Sequence, residues 1–161
     1  MSGSGPAQIF ADDFRVGQTF SGEKRRVGDP EFASFAKMTG DAHPIHYDDN
    51  YAARTRFGKR LAHGLLVTSM TALGATSMSL CLEDAMIAFL EQGARFLKPV
   101  FVGDHLQSRF TVASVVQKPG SSSAVVRFDI SLVNDRDETV LEGFHVYLLR
   151  VRPPTNAGAA G

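Results

Sequence analysis

A run of 18 residues without a charged side chain, residues 65–82, limits what this chain can fold into. Its length approaches the roughly 20 apolar residues that a membrane-spanning helix requires. Six Ser or Thr hydroxyls and Gly74 lie within the run, and this composition favours a helix that is surrounded by protein and packed closely through its small residues. We therefore predict one long apolar helix in the protein core rather than a membrane span.

The second half of the chain has the pattern of β-strands. In one segment, apolar side chains occupy every second position: Ala124, Val126, Phe128, Ile130 and Leu132. Further strands are predicted within residues 84–101, 106–116 and 140–151, with turn-forming sequences at 118–121 and 134–137. Antiparallel strands with one apolar face need a covering layer, which the predicted helix provides. The predicted fold class is α+β, with an antiparallel sheet wrapped around a long central helix.

The first half of the chain is predicted to hold shorter elements. Residues 16–27 predict an early strand, and Asp29 followed by Pro30 is a helix-start signal. Gly40 is a plausible stop for that helix, and residues 48–57 predict a second short one. A polar loop therefore begins directly after the first helix, which is a common location for functional residues.

The composition predicts one domain without a strong electrostatic field. The chain has 161 residues, and its 17 basic and 17 acidic side chains balance, which argues against nucleic acid or a membrane surface as a partner. The one cysteine, Cys81, fits a reducing cytoplasmic compartment, and the amino terminus lacks the pattern of a signal peptide. We expect a flexible lead at residues 1–8, the domain at 9–152 and a flexible tail at 153–161.

The side chains best suited to chemistry are concentrated in the polar loop. Asp41, His43, His46 and Asp48 fall within eight positions. Pro44 biases the residue before it towards an extended backbone, so Asp41 and His46 do not share one regular helix. A loop that folds around the proline would turn both side chains to one point. A carboxylate and an imidazole that face one small volume suit general acid–base catalysis on a water molecule.

Plainer interpretations remain open for these residues. Asp41 could satisfy backbone donors in a turn, and His46 could be an ordinary, partly buried histidine. The four loop side chains could instead bind a metal, although their spacing matches no recognised ligand motif, and we expect no metal. Outside the loop we predict structural roles for Cys81, as a small packed side chain, and for His105 and His145, on strands.

The pair His63-Gly64 stands directly before the long uncharged run. The first N–H groups of a helix lack partners within the helix, so an oxygen that gains charge could be stabilised there. Gly64 has no side chain to obstruct a ligand that approaches its amide. A glycine that merely eases a tight turn would look the same in the sequence.

Together these residues resemble the MaoC-like (R)-specific enoyl-CoA hydratases. The heptapeptide GDAHPIH at residues 40–46, the later Phe57 and the pair His63-Gly64 are similar to that family's signature. The segment FLKPVFVGD at residues 96–104 resembles the strand and turn that follow the central helix in the family. The resemblance extends over nearly the whole chain.

The resemblance implies a hot-dog fold that works as a homodimer or a dimer of dimers. It also implies reversible addition of water to a trans-2-enoyl-CoA, giving the (R)-3-hydroxyacyl thioester, without a metal or redox cofactor. Asp41 and His46 would be the catalytic pair, which activates water and supplies a proton to the α-carbon. The Gly64 amide would hold the thioester oxygen. His63 and His43 would lie beside the substrate.

One residue departs from the family pattern. His43 stands where the family usually has Asn, which leaves the catalytic pair intact and bears on substrate choice and local hydrogen bonding. Two other functions stay open for a chain of this kind. One is a hot-dog acyl-CoA thioesterase, which would release free CoA. The other is a catalytically silent subunit that binds an acyl thioester.

Overall fold

The computed structural model describes residues 6–154. Within them the sheet consists of β1 (Thr19–Ser21), β2 (Arg25–Arg26), β3 (Met86–Phe96), β4 (His105–Gln117), β5 (Ser123–Asn134) and β6 (Thr139–Arg150). The order across the sheet is β1-β4-β5-β6-β3, with β2 paired to β4 as well, and every pairing is antiparallel. The predicted α+β class with an antiparallel sheet is confirmed. Parts of the predicted lead and tail, residues 1–5 and 155–161, lie outside the described residues, and the predicted domain bounds stay predictions.

The alternation predicted in the second half of the chain is present in β5. The five apolar residues predicted to share one face are each at most 4% exposed: Ala124, Val126, Phe128, Ile130 and Leu132. In register, Phe128 lies opposite Val112 of β4 and His145 of β6. The buried face of the sheet is therefore built from side chains that alternate along the strands.

The helices are short and lie mainly over this buried face. They are α1 (Asp29–Thr39), α2 (Pro44–Tyr47), α3 (Asp49–Ala53), α4 (Gly64–Ser69) and α5 (Met78–Cys81), with 3-10 turns at Ala11–Asp13 and Leu73–Ala75. Helix α1 begins as predicted at Asp29, although the residue that caps it is Gly28, whose N–H donates to the Glu31 carboxylate. It ends as predicted at Gly40, whose φ of 77° suits a glycine.

The predicted continuous helix at residues 65–82 is wrong. The segment is divided into α4, the 3-10 turn at Leu73–Ala75 and α5. Ser and Thr side chains account for the breaks, because the Thr71 hydroxyl donates to the Thr68 carbonyl at 2.7 Å and the Thr76 hydroxyl to the Leu73 carbonyl at 2.7 Å. The described residues include no helix long and apolar enough to cross a membrane.

The divided segment still forms the core against the sheet. Leu73, Met78 and Leu82 pack in one cluster with aromatic residues of the central strands, such as Phe110 and Phe128. A second cluster joins α1 and α4 to the other end of the sheet through Phe32, Phe35, Leu66, Leu132 and Leu141. The second cluster packs α1 and α4 against each other, and the polar loop begins at the end of α1.

The edge strand β3 differs from the rest of the sheet in its exposure. It is paired on one side only, with β6. Four of its large apolar side chains are roughly half exposed: Ile87, Phe89, Leu90 and Phe96. An unpaired, apolar edge strand is a surface that proteins usually cover.

Candidate active site

The polar loop brings three potential proton-transfer groups together. Asp41 follows the end of α1, His46 lies in α2, and His63 immediately precedes α4. One carboxylate oxygen of Asp41 and one ring nitrogen of each histidine lie within 4.8 Å of one another. The predicted proximity of Asp41 and His46 is therefore present in the structure, and His63 completes the cluster.

The orientation of His46 follows from its one backbone partner. Its Nδ1 lies 2.8 Å from the carbonyl oxygen of Leu61. A carbonyl only accepts, so Nδ1 carries the proton and Nε2 of the neutral ring has a free lone pair. The ring also stacks on His63, with centroids 3.7 Å apart and an angle of 26° between the planes. His46 is thus a fixed imidazole whose free nitrogen is an acceptor.

Tyr47 determines the tautomer of His63. Its hydroxyl lies 3.1 Å from the carbonyl oxygens of both Phe32 and Asp41, and 2.8 Å from Nε2 of His63. Two carbonyl oxygens lie beside the phenol oxygen, so we assign the phenol proton to them and Nε2–H of His63 as the donor to the phenol oxygen. Burial is the main cause that raises the pKa of Tyr47, with the Asp41 charge as a second cause. The phenol therefore stays protonated and connects α1, the loop and His63.

His63 is buried and neutral. It is 2% exposed, and its Nδ1 has no hydrogen-bond partner among the described residues. Burial lowers the pKa of His63, and the neighbouring His46 lowers it further, while Asp41 acts in the opposite direction. An oxyanion needs a donor, yet the Nε2–H of His63 is used by Tyr47 and its Nδ1 only accepts. The place predicted for His63 beside the substrate stays a prediction; in the structure its ring stacks on His46.

His43 and Asp48 are turned towards local backbone. The Nδ1 of His43 accepts from the Ile45 N–H at 3.3 Å, and the carboxylate of Asp48 accepts from the Tyr51 N–H at 3.0 Å. Both residues therefore cap the short helices that follow them. The backbone N–H of His43 also donates to Asp41 Oδ1 at 3.3 Å, which orients that carboxylate.

The metal site considered from the sequence is not assembled from those four residues. A different set, with two histidines and one carboxylate, offers its donor atoms within 4.8 Å. Donors of a tetrahedral ion with bonds of about 2.0–2.2 Å lie about 3.4 Å apart, which falls inside the 4.8 Å limit of this set. Such ligands suit zinc or iron. The stacked rings and the Leu61 bond suit a pair of proton-transfer groups without any rearrangement.

Gly64 is the first residue of α4, so its N–H has no partner inside the helix. It lines a groove of about 300 Å³ together with Leu61, Val67 and Phe96. A Cβ built on Gly64 would lie 3.1 Å from Phe96 Cζ, which means that a larger residue would intrude on this groove. Because α4 has six residues, the dipole of a long helix does not contribute; what remains is one free donor.

Arg60 fixes the frame around the loop. Its guanidinium pairs with Asp29 of α1 at 2.7 Å and with Asp49 of α3 at 2.8 Å. The hydrogen bond to Asp29 is the main cause that raises the pKa of Arg60, with burial acting against it. This double ion pair joins the start of α1 to α3, the helix that follows the polar loop.

Sequence reasoning missed the supporting residues of the site. Tyr47, the Leu61 carbonyl and the stack of His63 on His46 all depend on contacts between positions 15 to 17 apart in the chain. A tyrosine next to a histidine in a polar loop was the one available signal for Tyr47. The two histidines predicted on strands lie outside this site: His145 is buried on β6, and His105 pairs with Asp135 at 3.0 Å.

Comparison with known proteins identifies the family. Residues 13–133 match the family profile described as MaoC like domain. A 3-hydroxybutyryl-CoA dehydratase from Methylorubrum extorquens is 28% identical over 135 residues, covering 84% of this chain and 80% of that protein. An (R)-specific enoyl-CoA hydratase from Aeromonas caviae is 33% identical over 107 residues, covering 66% of this chain and 77% of that protein.

Solved structures show the same fold. A monoamine oxidase regulatory protein from Archaeoglobus superposes with a TM-score of 0.83 at 30% identity, covering 92% of this chain and 99% of that one. A Mycobacterium tuberculosis protein described as a double hotdog superposes with a TM-score of 0.77 at 24% identity, covering 95% of this chain and 47% of that one. The fold is the hot-dog fold, and the chain belongs to the family of MaoC-like dehydratase domains.

Proposed function

We propose that this protein catalyses the reversible hydration of trans-2-enoyl-CoA to (R)-3-hydroxyacyl-CoA. One observation supports the proposal above the others. The Asp41 carboxylate and a ring nitrogen of His46 belong to one cluster within 4.8 Å, the Leu61 carbonyl leaves Nε2 of His46 without a proton in the neutral ring, and the N–H of Gly64 begins the next helix. Hydration needs these three parts: two groups that accept hydrogen bonds from a water and take up one of its protons, and one donor for the thioester oxygen.

In the proposed reaction, Asp41 and His46 hold the water between them. As its oxygen bonds to the β-carbon, one water proton passes to this pair, and the α-carbon receives a proton from it. The pair is therefore restored at the end of each turnover, and no other reactant is consumed. Proton transfer by a placed side chain contributes about 10²–10⁴-fold to the rate.

The Gly64 amide has a separate role. Attack on the β-carbon moves negative charge onto the thioester oxygen, so a donor directed at that oxygen stabilises the transition state. One such donor contributes about 10²–10³-fold. Leu61 connects the two parts of the site, since its carbonyl orients His46 and its side chain lines the groove beside Gly64.

We further propose that the active form is a homodimer built on β3. This strand is an unpaired edge with half-exposed Ile87, Phe89 and Leu90, and its last residue, Phe96, lines the groove at Gly64. A second copy that paired along this edge would cover the apolar side chains and close the groove from one side. Light scattering should give twice the mass of the chain; a monomer would contradict this assembly.

A thioesterase is the competing function, because the same groups could direct water at the carbonyl carbon instead of the β-carbon. A silent acyl-thioester-binding subunit is the other alternative, and in it the Asp41–His46 pair would have no catalytic role. Two signals recorded in parallel on crotonyl-CoA separate the three functions. Loss of enoyl-thioester absorbance without thiol release supports the hydratase. Thiol release supports the thioesterase, and absence of both signals, with binding retained, supports the silent subunit.

A further inference from the structure

The segment of residues 54–60, RTRFGKR, carries cations without acidic partners. Arg54, Arg56 and Lys59 are exposed, and none has a carboxylate within 4.0 Å among residues 6–154. Arg60, in the same segment, is satisfied by two aspartates. Arg60 therefore has acidic partners within the protein, whereas the three neighbouring cations can contact solvent or a ligand. We call Arg54, Arg56 and Lys59 the cationic rim.

The cationic rim reaches the groove that contains Gly64 through Arg56, and Arg54 and Lys59 are its near neighbours in the chain. Arg56 and Phe57 line this groove on one side, and Leu97 and Lys98 line it as well. The Arg56 guanidinium lies over the Phe57 ring, 4.7 Å from its centroid, which holds the cation at the groove. Lys98 is neutralised by Glu138 at 2.6 Å. The groove thus has an apolar lining and unpaired positive charge at one border.

We infer that the cationic rim binds the phosphate groups of coenzyme A, with the pantetheine arm lying in the groove and the thioester at Gly64. The inference rests on the proposed function, since it assigns the carrier of that substrate. A polyanionic head on a long, largely uncharged arm matches a cationic rim beside an apolar groove. Arg in particular matches phosphate through its planar set of donors.

The number of unpaired cations favours free coenzyme A over a carrier protein. Coenzyme A has a diphosphate and a 3′-phosphate, whereas the arm of a carrier protein ends in a single phosphodiester. Three cations on one short segment suit the former. Contacts of this exposed kind each change affinity by up to about fivefold. Neighbouring cations that share one ligand are not strictly additive, so removal of two should weaken binding more than either single removal, by up to about 25-fold.

The test compares crotonyl thioesters of coenzyme A, 3′-dephospho-coenzyme A, 4′-phosphopantetheine and pantetheine. The variants are Arg56→Gln, Arg54→Gln and the double variant, with Arg56→Lys as the conservative change. Lys118→Gln, an exposed cation in the turn between β4 and β5, is the matched control. The measured quantity is the ratio of kcat/KM for the coenzyme A thioester to that for the pantetheine thioester, at low and high salt.

We expect this ratio to fall by up to about fivefold in each single Gln variant and further, by up to about 25-fold, in the double variant. Arg56→Lys should lower it less than Arg56→Gln, because Lys keeps the charge and loses the planar donors. Lys118→Gln should keep the ratio, and added salt should lower it in the wild type. Equal losses on all four thioesters, or an unchanged ratio, would overturn the inference and make the rim a solvated surface. If the Gln variants kept this ratio and lost activity only on a crotonyl-loaded carrier protein, the assignment to coenzyme A would be overturned.

A binding measurement separates this inference from the proposed function. Calorimetric titration with coenzyme A itself requires no turnover. If the wild type binds coenzyme A more tightly than pantetheine, and the double variant loses that difference, the rim assignment stands even if no thioester is hydrated. If hydration proceeds and the difference in binding is absent, the hydratase stands and the rim assignment fails.

Discussion

Replacing Gly64 by Ala separates catalysis from stability. The added Cβ would lie 3.1 Å from Cζ and 3.4 Å from Cε2 of Phe96, a ring that is 52% exposed. Because an exposed ring can shift by a few tenths of an ångström, the steric cost is small. Alanine is also favoured over glycine in helices by about 1 kcal/mol at most. We therefore expect the free energy of unfolding to stay within about 1 kcal/mol of the wild type.

The effect on catalysis should be much larger. The new methyl group stands where the thioester oxygen would approach the Gly64 N–H, so the donor is lost in the transition state. Loss of one oxyanion donor costs about 10²–10³-fold in rate, or about 2.7–4 kcal/mol. Stability and activity should thus change by different magnitudes, which a general misfolding of the variant would not produce.

The assay is kcat/KM on crotonyl-CoA, measured beside thermal unfolding of the same samples. Gly74→Ala is the matched control, because its Cβ would meet nothing nearer than Ser79 Oγ at 3.9 Å and it lies in the 3-10 turn away from the groove. A Gly64→Ala protein within about threefold of wild-type activity would refute the role assigned to this amide.

Three further outcomes are expected. His43→Asn should keep hydration but change relative kcat/KM across short, long and branched enoyl-CoAs by about 10–200-fold; equal ratios in both proteins would remove His43 from the pocket. Hydration should survive dialysis against a strong chelator; a loss restored by one divalent ion would instead assign the Asp41, His46 and His63 set to a metal. Burial lowers the pKa of His145 to about 4 from 6.5, so the unfolded chain binds its proton first as pH falls. The contribution of His145 to the free energy of unfolding should be full above pH 6.5 and should decline between about pH 6.5 and 4, by about 3 kcal/mol at most. Urea titrations across this pH range measure the decline. It should be smaller in His145→Gln, and an equal decline in that variant would contradict the assignment.

The polar contacts of His145 explain why that histidine stays neutral. Its Nε2 lies 3.1 Å from the Thr71 hydroxyl, which itself donates to the Thr68 carbonyl, so Nε2–H is the donor. Its Nδ1 then accepts from the Tyr147 hydroxyl at 3.1 Å, and burial raises the pKa of Tyr147 to about 12. A proton added to Nδ1 would displace the hydroxyl proton of Tyr147 from this bond and would place a charge in a buried position, so protonation favours unfolding.

The sequence predicted the strands well because their pattern is local. Apolar residues at every second position of β5 define the buried face without reference to the other strands. The end of α1 was equally accessible, since Gly40 adopts a φ that disfavours other residues. In each case the signal lies within a few residues of the element that it predicts.

The divided central segment shows where pattern reasoning fails. Residues 65–82 lack charge along their whole length, and this hydropathy pattern predicts one continuous helix. Hydroxyls of Ser69, Thr71 and Thr76 instead bond to carbonyls three residues earlier in the chain. These bonds close single turns and compete with the helical ladder, an effect that depends on hydroxyl rotamers rather than on hydropathy.

For the candidate site, the sequence predicted the proximity of Asp41 and His46 and did not predict the residues that support them. Asp41 and His46 are five positions apart, so a proline-directed loop was enough to place them together. His63 stacks on His46 across 17 positions, and Tyr47 reaches Phe32 across 15. Such contacts depend on how α1 and α4 pack on the sheet, which no local pattern records.

The most direct test of the proposed hydratase is the rate of crotonyl-CoA hydration by Asp41→Asn. Asp41 is exposed and its side chain fills no core position, so the variant should fold with an unfolding midpoint near that of the wild type. The change keeps the shape of the carboxylate and removes its capacity to accept a proton. We predict a fall in kcat/KM of at least about 10²-fold, with a similar fall for His46→Gln. A folded Asp41→Asn protein that hydrates crotonyl-CoA at nearly the wild-type rate would contradict the proposed mechanism.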